Sequence, residues 1–358
     1  MLSIVVPTYN EAENIPELVA RLQQVLQGLV YEIIIVDDNS PDETAAVCSA
    51  LSSEFPLRLL QPRGRPRDLA LSVVEGIRAA AFDIILVMDA DLSHPPDKIR
   101  TMLKAIEDSP GVFVIGSRYI AEGSFDRQWS LWRFLNSHLA TLMASPLTSC
   151  SDPMSGFFMF SRTRIDPATL NPIGYKIGLE ILIRGEFDSI VEIPIRFKDR
   201  KIGQSKMDFN EQLKYLRHLR RLYLHRFGSF AELFLFGLVG ASGFVVDILF
   251  YYLCQTLGAS HLLARALSFW PAVSWNWALN RRVTFSERER RPRVRQWSEF
   301  VISSLMGFGI NYGLYALLTT QVSFFTAHRL AALILGVAAA SCFNFIASSL
   351  LVYSNTRN

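Results

Sequence analysis

The chain has 358 residues, enough for two domains, and half of them are hydrophobic, with a mean hydropathy of +0.22. A formal net charge of +3 is too mild to argue for a nucleic-acid partner. The four cysteines, Cys48, Cys150, Cys254 and Cys342, are too scattered for a zinc site or a disulfide framework, which fits a reduced, cytosol-facing first domain.

The apolar excess is uneven: residues 1 to about 228 read as an ordinary mixed domain, and the rest is nearly all long apolar segments. Leu2–Val6 is a β-branched run ended by Pro7, with no basic region before a long apolar core. It reads as a strand and not as a signal peptide. "NEAENIPELVARLQQVL" then carries Ile15, Leu18, Leu22, Val25 and Leu26 at helical spacing. "YEIIIVDD" is a second strand, and "PDETAAVCSALSSE" a second helix with Pro41 near its first turn. "LRLLQ", "LALSVVEGIRAAA", "DIILVMDAD", "PDKIRTMLKAIED" and "GVFVIGSRY" continue as strand, helix, strand, helix, strand. Unbroken apolar strands alternating with helices predict an α/β domain: a mostly parallel sheet with helices on both faces.

Ligands of such sheets bind outside the C-terminal strand ends. The polar signals fall there: "PTYNE", "DDNSPD", "DADLSHPP" and "GSRY". Each alone is also what a helix N-cap looks like, because short polar side chains satisfy free amides. His94–Pro96 read simply as the start of the next helix. Together, acidic clusters at three strand ends would converge on one crevice and repel, so a divalent cation or a basic ligand is expected between them. Mg²⁺ and Mn²⁺ prefer carboxylate, phosphate and water oxygens, typically one or two carboxylates plus a substrate diphosphate.

The motifs "VPTYNEAENI", "YEIIIVDDNSPDET", "VMDADLSHPP", "IGSRY", "SDPMSGFF", "NPIGYKIGLEILIRG", "VEIPIRF" and "GQSK" run in order over about 200 residues. In this the chain resembles the family 2 glycosyltransferases of the GT-A fold, specifically the dolichol-phosphate mannose synthases. The resemblance implies a catalytic domain over residues 1–209. There, Pro7, Tyr9, Glu11, Val36 and Asp38 would hold the donor's base and ribose, and Asp89, Ala90 and Asp91 would meet metal and diphosphate. Arg200 and Lys206 would close over the diphosphate, and Arg118, Arg133 and Ser137 would bind the acceptor phosphate. The implied metal set is Asp89, Asp91 and Ser93. The implied reaction carries mannose from GDP-mannose to a polyprenyl phosphate with inversion, aided by Mg²⁺ or Mn²⁺; a UDP-hexose donor and a lipid-moving or scaffold role are the alternatives. The sequence departs from the family twice. Some relatives have glutamine where Ser93 stands, and the shorter serine reaches a metal through a bridging water more readily than directly. Asp68 and Leu69 are bulkier than the Gly-Leu-Gly that many relatives carry after the third strand.

Residues 210–229, within "NEQLKYLRHLRRLYLHRFGSF", set arginines among leucines and tyrosines and predict a basic amphipathic helix at lipid headgroups. From 230 to 358, four apolar segments follow: Phe230–Leu253, Leu262–Asn280, Phe300–Leu318 and Leu330–Tyr353. Each suits a hydrocarbon core of about 30 Å as a helix. "RRVTFSERERRPRVRQW" carries seven arginines against two glutamates. The positive-inside rule makes that loop cytoplasmic, with the first domain and the C-terminus on the same side of the cell membrane. "WNWALNRRVTFS" (275–286) aligns with "FNFIASSLLVYS" (343–354), and "GFVVDILFYYL" (243–253) with "GFGINYGLYAL" (307–317). This half resembles a GtrA-like membrane domain of two duplicated hairpins. It reads as an anchor or as a contributor to lipid-sugar flipping. Asp247, inside a span, is a functional candidate beside the plain reading of an interhelical hydrogen bond.

Overall fold

The computed structural model describes residues 1–64, 67–125, 131–197, 209–289 and 291–354; side chains at 125, 131–135 and 209 lie outside the description. The chain divides into two compact units, Met1–Arg226 and Phe227–Asn358.

The first unit is built on β1 (Leu2–Thr8), β2 (Tyr31–Asp37), β3 (Leu57–Leu60), β4 (Ile84–Val87) and β5 (Val112–Ser117). Interleaved with them are α1 (Ile15–Val25), α2 (Thr44–Leu51), α3 (Leu69–Ala79) and α4 (Ile99–Asp108). These match the predicted alternation. After β5 come β6 (Ser124–Phe125), α5 (Leu131–Ala144), β7 (Phe158–Ser161), α6 (Ile177–Arg184), β8 (Ser189–Pro194), β9 (Arg196–Phe197) and α7 (Phe209–Phe227). One seven-stranded sheet has the order β3-β2-β1-β4-β7-β5-β8, and β6 pairs with β9 in a small second sheet. All pairings in the large sheet are parallel except those of β7, which runs antiparallel between β4 and β5.

β7 and β8 lie beyond the five strands read from the sequence pattern. β7 is four residues long, and β8 contains Glu192 and ends in Pro194. Proline is tolerated in β8 because it is the sheet's edge. The central strands are buried on both faces. Ile4, Val6, Ile33 and Ile35 pack towards α1 and α4, while Val5, Ile34 and Val36 pack towards α3 and α6. Strand order reverses direction at β1, since β2 and β3 lie on one side and β4 on the other. That reversal opens a crevice at the C-terminal ends of β1 and β4.

The second unit holds α8 (Ser229–Thr256), α9 (His261–Leu279), α10 (Arg293–Gln321), the short α11 (Ser323–Ala327) and α12 (Arg329–Ala347). Three described helices are long and apolar enough to cross a membrane: Ser229–Thr256, Arg293–Gln321 and the helix from Arg329 to Val352. The remaining predicted span coincides with α9, whose Arg265, Pro271, Asn276 and three tryptophans lower its apolarity. The two halves build alike. Both α9 and α12 end in a five-residue π turn, Asn280–Thr284 and Ser348–Val352. Asn276 packs on Gly243 just as Asn344 packs on Gly307. The matched residues Phe285 and Tyr353 stack on each other, ring centres 4.6 Å apart.

Asp247 accepts from Ser268 Oγ at 2.6 Å and pairs with Arg265, so the interhelical hydrogen bond is present. Much of the arginine-rich loop is engaged at the bundle end. Arg288 holds Glu232 and the Ser349 carbonyl, and Arg291 donates to the Leu351 carbonyl at 2.8 Å. These guanidiniums cap carbonyls that a helix end leaves unpaired.

Candidate active site

Three turns meet at the crevice. The β1 turn carries Tyr9, Asn10 and Glu11; the β2 turn carries Asp38 and Asn39; the β4 turn carries Asp89–His94. In the β1/β2 register Thr8 stands opposite Asp37, and in the β1/β4 register Val5 stands opposite Val87, so the three ends lie side by side. Three of the four described non-glycine residues with positive φ are in these turns: Asn10 (60°), Asn39 (55°) and Leu92 (61°). Asparagine tolerates that region; a leucine there is strained, and such strain clusters at functional turns.

Tyr9, Asp38, Asn39 and Arg67 line an open pocket of about 410 Å³. The Arg67 guanidinium lies 4.0 Å from the centre of the Tyr9 ring, a geometry that also suits a planar base. Asp38 Oδ2 accepts the Asp68 backbone N–H at 2.7 Å. Asp68 in turn caps α3 by accepting from Ala70 and Leu71. The bulk that replaces the family's glycine stretch is thus a helix cap. Glu11 takes its place through its backbone N–H to Thr44 Oγ1 at 3.1 Å and through Asn14 Nδ2 to Oε2 at 2.6 Å. Pro7 and Val36 face each other across β1 and β2. Val36 is 0% exposed and its side chain packs by Gly76 of α3, behind the end of the strand. Ala90 is likewise buried. Arg67 does not stand out in the sequence, being one of several arginines in "RGRPRD", and Asn39 is signalled only as part of "DDNSPD".

The β4 turn is held by its own residues. Ser93 N–H donates to Asp91 Oδ1 at 3.1 Å. His94, 2% exposed, accepts the Asp89 backbone N–H on Nδ1 at 3.1 Å, and its Nε2 lies 3.9 Å from Asp89 Oδ2. An Nδ1 that accepts fixes the ring proton on Nε2. His94 also stacks on Phe157, centres 5.2 Å apart, and meets the edge of Phe197. His94 therefore does more than begin a helix, which the sequence reading missed; Pro96 alone opens the helical turn ahead of α4.

Asp89 opens to the crevice while Asp91 is buried to 4% exposure. Among the described residues no group of three or more His, Cys, Asp or Glu forms a closed metal cage. Two carboxylates suffice for a hard cation that shares its shell with phosphate and water. Ser93 Oγ is buried with no hydrogen-bond partner, an orphaned oxygen beside Asp91 that a hydrated cation would satisfy. The residues fit such a group.

On the other side, Arg118 follows β5. Its Nε and Nη2 make paired bonds of 2.7 Å to the two oxygens of Asp152, which is 0% exposed. Burial alone would lower the Arg118 guanidinium, but the bonds and charge of Asp152 hold it above its ordinary value. Tyr119 Oη meets Ser137 Oγ at 2.8 Å, bringing Ser137 of α5 to the end of β5. Arg200 and Lys206 lie outside the described residues, as does the Arg133 side chain.

Residues 3–166 match the glycosyl transferase family 2 model, and residues 235–353 match the GtrA/DPMS transmembrane domain model. The chain is 36% identical to the dolichol-phosphate mannosyltransferase of Pyrococcus furiosus, over 94% of each chain. It is 34% identical to the Saccharomyces cerevisiae protein of that name, covering 71% of this chain and 96% of that one. Among solved structures, mannosyl-3-phosphoglycerate synthase from Rubrobacter xylanophilus shares the fold, with a TM-score of 0.50 and 18% identity over 63% of this chain and 74% of that one. A parallel sheet with an Asp-x-Asp turn at its strand-order reversal, a transmembrane domain and kinship over nearly the full length together identify the chain as a membrane glycosyltransferase of family 2 that belongs to the dolichol-phosphate mannosyltransferases.

Proposed function

We propose that this protein transfers mannose from GDP-mannose to a polyprenyl phosphate at the cytoplasmic membrane face, with inversion. The relatives' shared name supports the reaction class. The observation that carries the reading is the Asp89–Asp91 turn, held by His94 and Ser93 at the strand-order reversal. On one side of it lies the Tyr9–Arg67 pocket, and on the other the cluster around Arg118.

In this reading Tyr9, Glu11, Asp38 and Arg67 hold the nucleoside. Asp89 and Asp91, with Ser93 through a water, would hold Mg²⁺ or Mn²⁺, which when bound neutralises charge on the diphosphate. Arg200 and Lys206 are assigned to the same diphosphate. Arg118, Arg133 and Ser137 orient the acceptor phosphate. One of its oxygens attacks the sugar C1 as the C1–O bond to the β-phosphate breaks. The electron pair leaves with the nucleoside diphosphate, and an α-linked donor gives a β-linked lipid. The acceptor phosphate is already ionised, so no side chain needs to act as a strong base; the protein's part is alignment and charge stabilisation.

In this reading α9 counts as a fourth span, and the arginine-rich loop lies in the cytoplasm together with the catalytic domain and the C-terminus. The membrane unit anchors the enzyme where its lipid acceptor resides.

The test incubates membranes containing the protein with radiolabelled GDP-mannose or UDP-glucose, polyprenyl phosphate and Mg²⁺ or Mn²⁺. Mannosyl lipid is expected. Glucosyl lipid alone would overturn the donor assignment, and labelled lipid from neither donor would overturn the reaction. Asp91→Ala is expected to abolish transfer while still inserting in membranes; normal turnover would refute its role.

A further inference from the structure

Lys176 is an ammonium group that no role above uses. It stands at the N-cap position of α6 and donates from Nζ to the Met154 carbonyl at 3.1 Å. Met154 lies in the loop between Asp152, the partner of Arg118, and Gly156. The loop turns against the β4 end at Gly156, where an added Cβ would stand 3.3 Å from Asp89 Oδ2. Lys176 thus lies near both the Asp89 turn and the Arg118–Asp152 pair. The Tyr175 ring, 4.6 Å from Nζ, limits where its chain can go.

The Lys176 ammonium sits in the field of one guanidinium, Arg118, and two carboxylates, Asp152 and Asp89. Burial, with Arg118 adding to it, pushes the Lys176 ammonium down to about 8, against the pull of Asp152 and Asp89. Asp152 is already doubly bonded to Arg118. The start of α6 has no side-chain cap, and the positive end of a helix is a poor neighbour for a cation. A buried ammonium that donates to a carbonyl, beside a carboxylate already committed to Arg118, has further N–H groups to offer an anionic ligand.

We infer that Lys176 is a binding residue for the acceptor, its ammonium completing with Arg118 the cradle for a phosphate monoester oxygen. This rests on the proposed transfer to a polyprenyl phosphate and adds a residue to that subsite. In it Lys176 moves no proton. Its Nζ keeps the Met154 carbonyl as one partner and turns another N–H to the phosphate, holding the attacking oxygen on the sugar's side of Asp89.

The experiment uses full-length protein in detergent, with citronellyl phosphate or a longer polyprenyl phosphate as acceptor, and compares wild type, Lys176→Met and Lys176→Arg. Methionine keeps the length and removes the charge. A charged hydrogen bond of this kind corresponds to about a tenfold to hundredfold loss. Acceptor kcat/KM is expected to fall by that factor in Lys176→Met, mainly through KM, with donor KM within about twofold of wild type and with part of the loss restored in Lys176→Arg. Direct binding of citronellyl phosphate without donor, followed by calorimetry, is expected to weaken in parallel. An unchanged acceptor KM in Lys176→Met, or a rise confined to donor KM, would overturn the assignment of Lys176. A uniform loss accompanied by a lower melting temperature would also overturn it, as the sign of a purely structural bond to Met154. Wild-type protein that makes no lipid-linked product would instead overturn the functional reading on which the inference rests.

Discussion

Replacing His94 with phenylalanine removes the two ring nitrogens that face Asp89. Phenylalanine keeps a flat ring against Phe157, whose centre lies 5.2 Å away, so packing is largely retained. What disappears is the Nδ1 acceptor for the Asp89 backbone N–H, a bond of 3.1 Å, and with it the Nε2 that stands 3.9 Å from Asp89 Oδ2. An amide left without a partner in so enclosed a place costs about 1–3 kcal/mol. The turn can relieve that cost by shifting, and Leu92, at φ 61°, is already in a strained conformation that gives it reason to move. Asp89 and Asp91 would then leave their working positions. Loss of a group that orients a metal-binding side chain typically costs 10–100-fold in affinity or activity, and a displacement near 1 Å has a similar effect on rate. The expected result for His94→Phe is therefore a fall of about 10–100-fold in donor kcat/KM, with more divalent cation needed for half-maximal rate. His94→Asn is the complementary variant. Asparagine can offer its Oδ1 close to the position of Nδ1, and it should recover most of the lost rate although it loses the stack. The assay is initial rate against Mn²⁺ or Mg²⁺ concentration at fixed donor, with melting temperature measured on the same samples. A His94→Phe enzyme within twofold of wild type in rate and metal requirement would refute the reasoning. So would an asparagine variant worse than the phenylalanine one.

Two further predictions concern packing within each unit. Glu180 of α6, 1% exposed, accepts from the Asn171 N–H at 2.8 Å, meets His218 Nε2 of α7 at 2.9 Å and lies 2.8 Å from Arg184 Nε. Burial alone would raise its carboxyl, but the bonds to His218 and Asn171 and the charges of His218 and Arg184 hold it below the usual range. A depressed carboxyl contributes stability that is present above the unfolded value and lost as pH falls through the folded one. Glu180→Gln is accordingly expected to melt earlier at neutral pH, by about 1–3 kcal/mol of stability. The gap should close as pH drops below the ordinary glutamate range; a gap constant with pH would contradict the pairing. In the membrane unit, a Cβ on Gly243 would fall 2.0 Å from Asn276 Oδ1, and one on Gly307 would fall 2.3 Å from Asn344 Oδ1, whereas Gly309 has nothing within 4 Å. Alanine at 243 or 307 should each destabilise the bundle by about 1–3 kcal/mol in a detergent unfolding assay. Alanine at 309 should be neutral, and equal losses at all three positions would contradict close helix approach at the two glycines.

Much of the first unit was legible because its signals are local and periodic. Unbroken apolar runs such as Ile33–Val36 are what a strand covered on both faces requires, and Ile15, Leu18 and Leu22 repeat at helical spacing; all are buried as that pattern demands. Parallel strands put their C-terminal ends on one side of a sheet, so the polar turns after β1, β2 and β4 had to meet. The duplication in the second unit was legible for a related reason, since like sequences make like contacts, as the Gly243–Asn276 and Gly307–Asn344 pairs do.

The remainder depended on long-range contacts, which leave no periodic trace along the chain. β7 enters the sheet antiparallel between β4 and β5, and the edge strand β8 is interrupted by Glu192 and Pro194. Only folding brings Arg67 over Tyr9, joins Arg118 to Asp152, and sets Lys176 against the Met154 carbonyl. The same holds for the two acids of the β4 turn. By sequence they are equivalent; in the fold Asp89 faces the crevice and Asp91 is buried, because His94 reaches back five residues to grip the chain at Asp89. Residue order alone determined that carboxylates stand at this strand end. Which of them is exposed, and which cations and aromatic rings surround it, was decided by packing against segments as distant along the chain as Phe197.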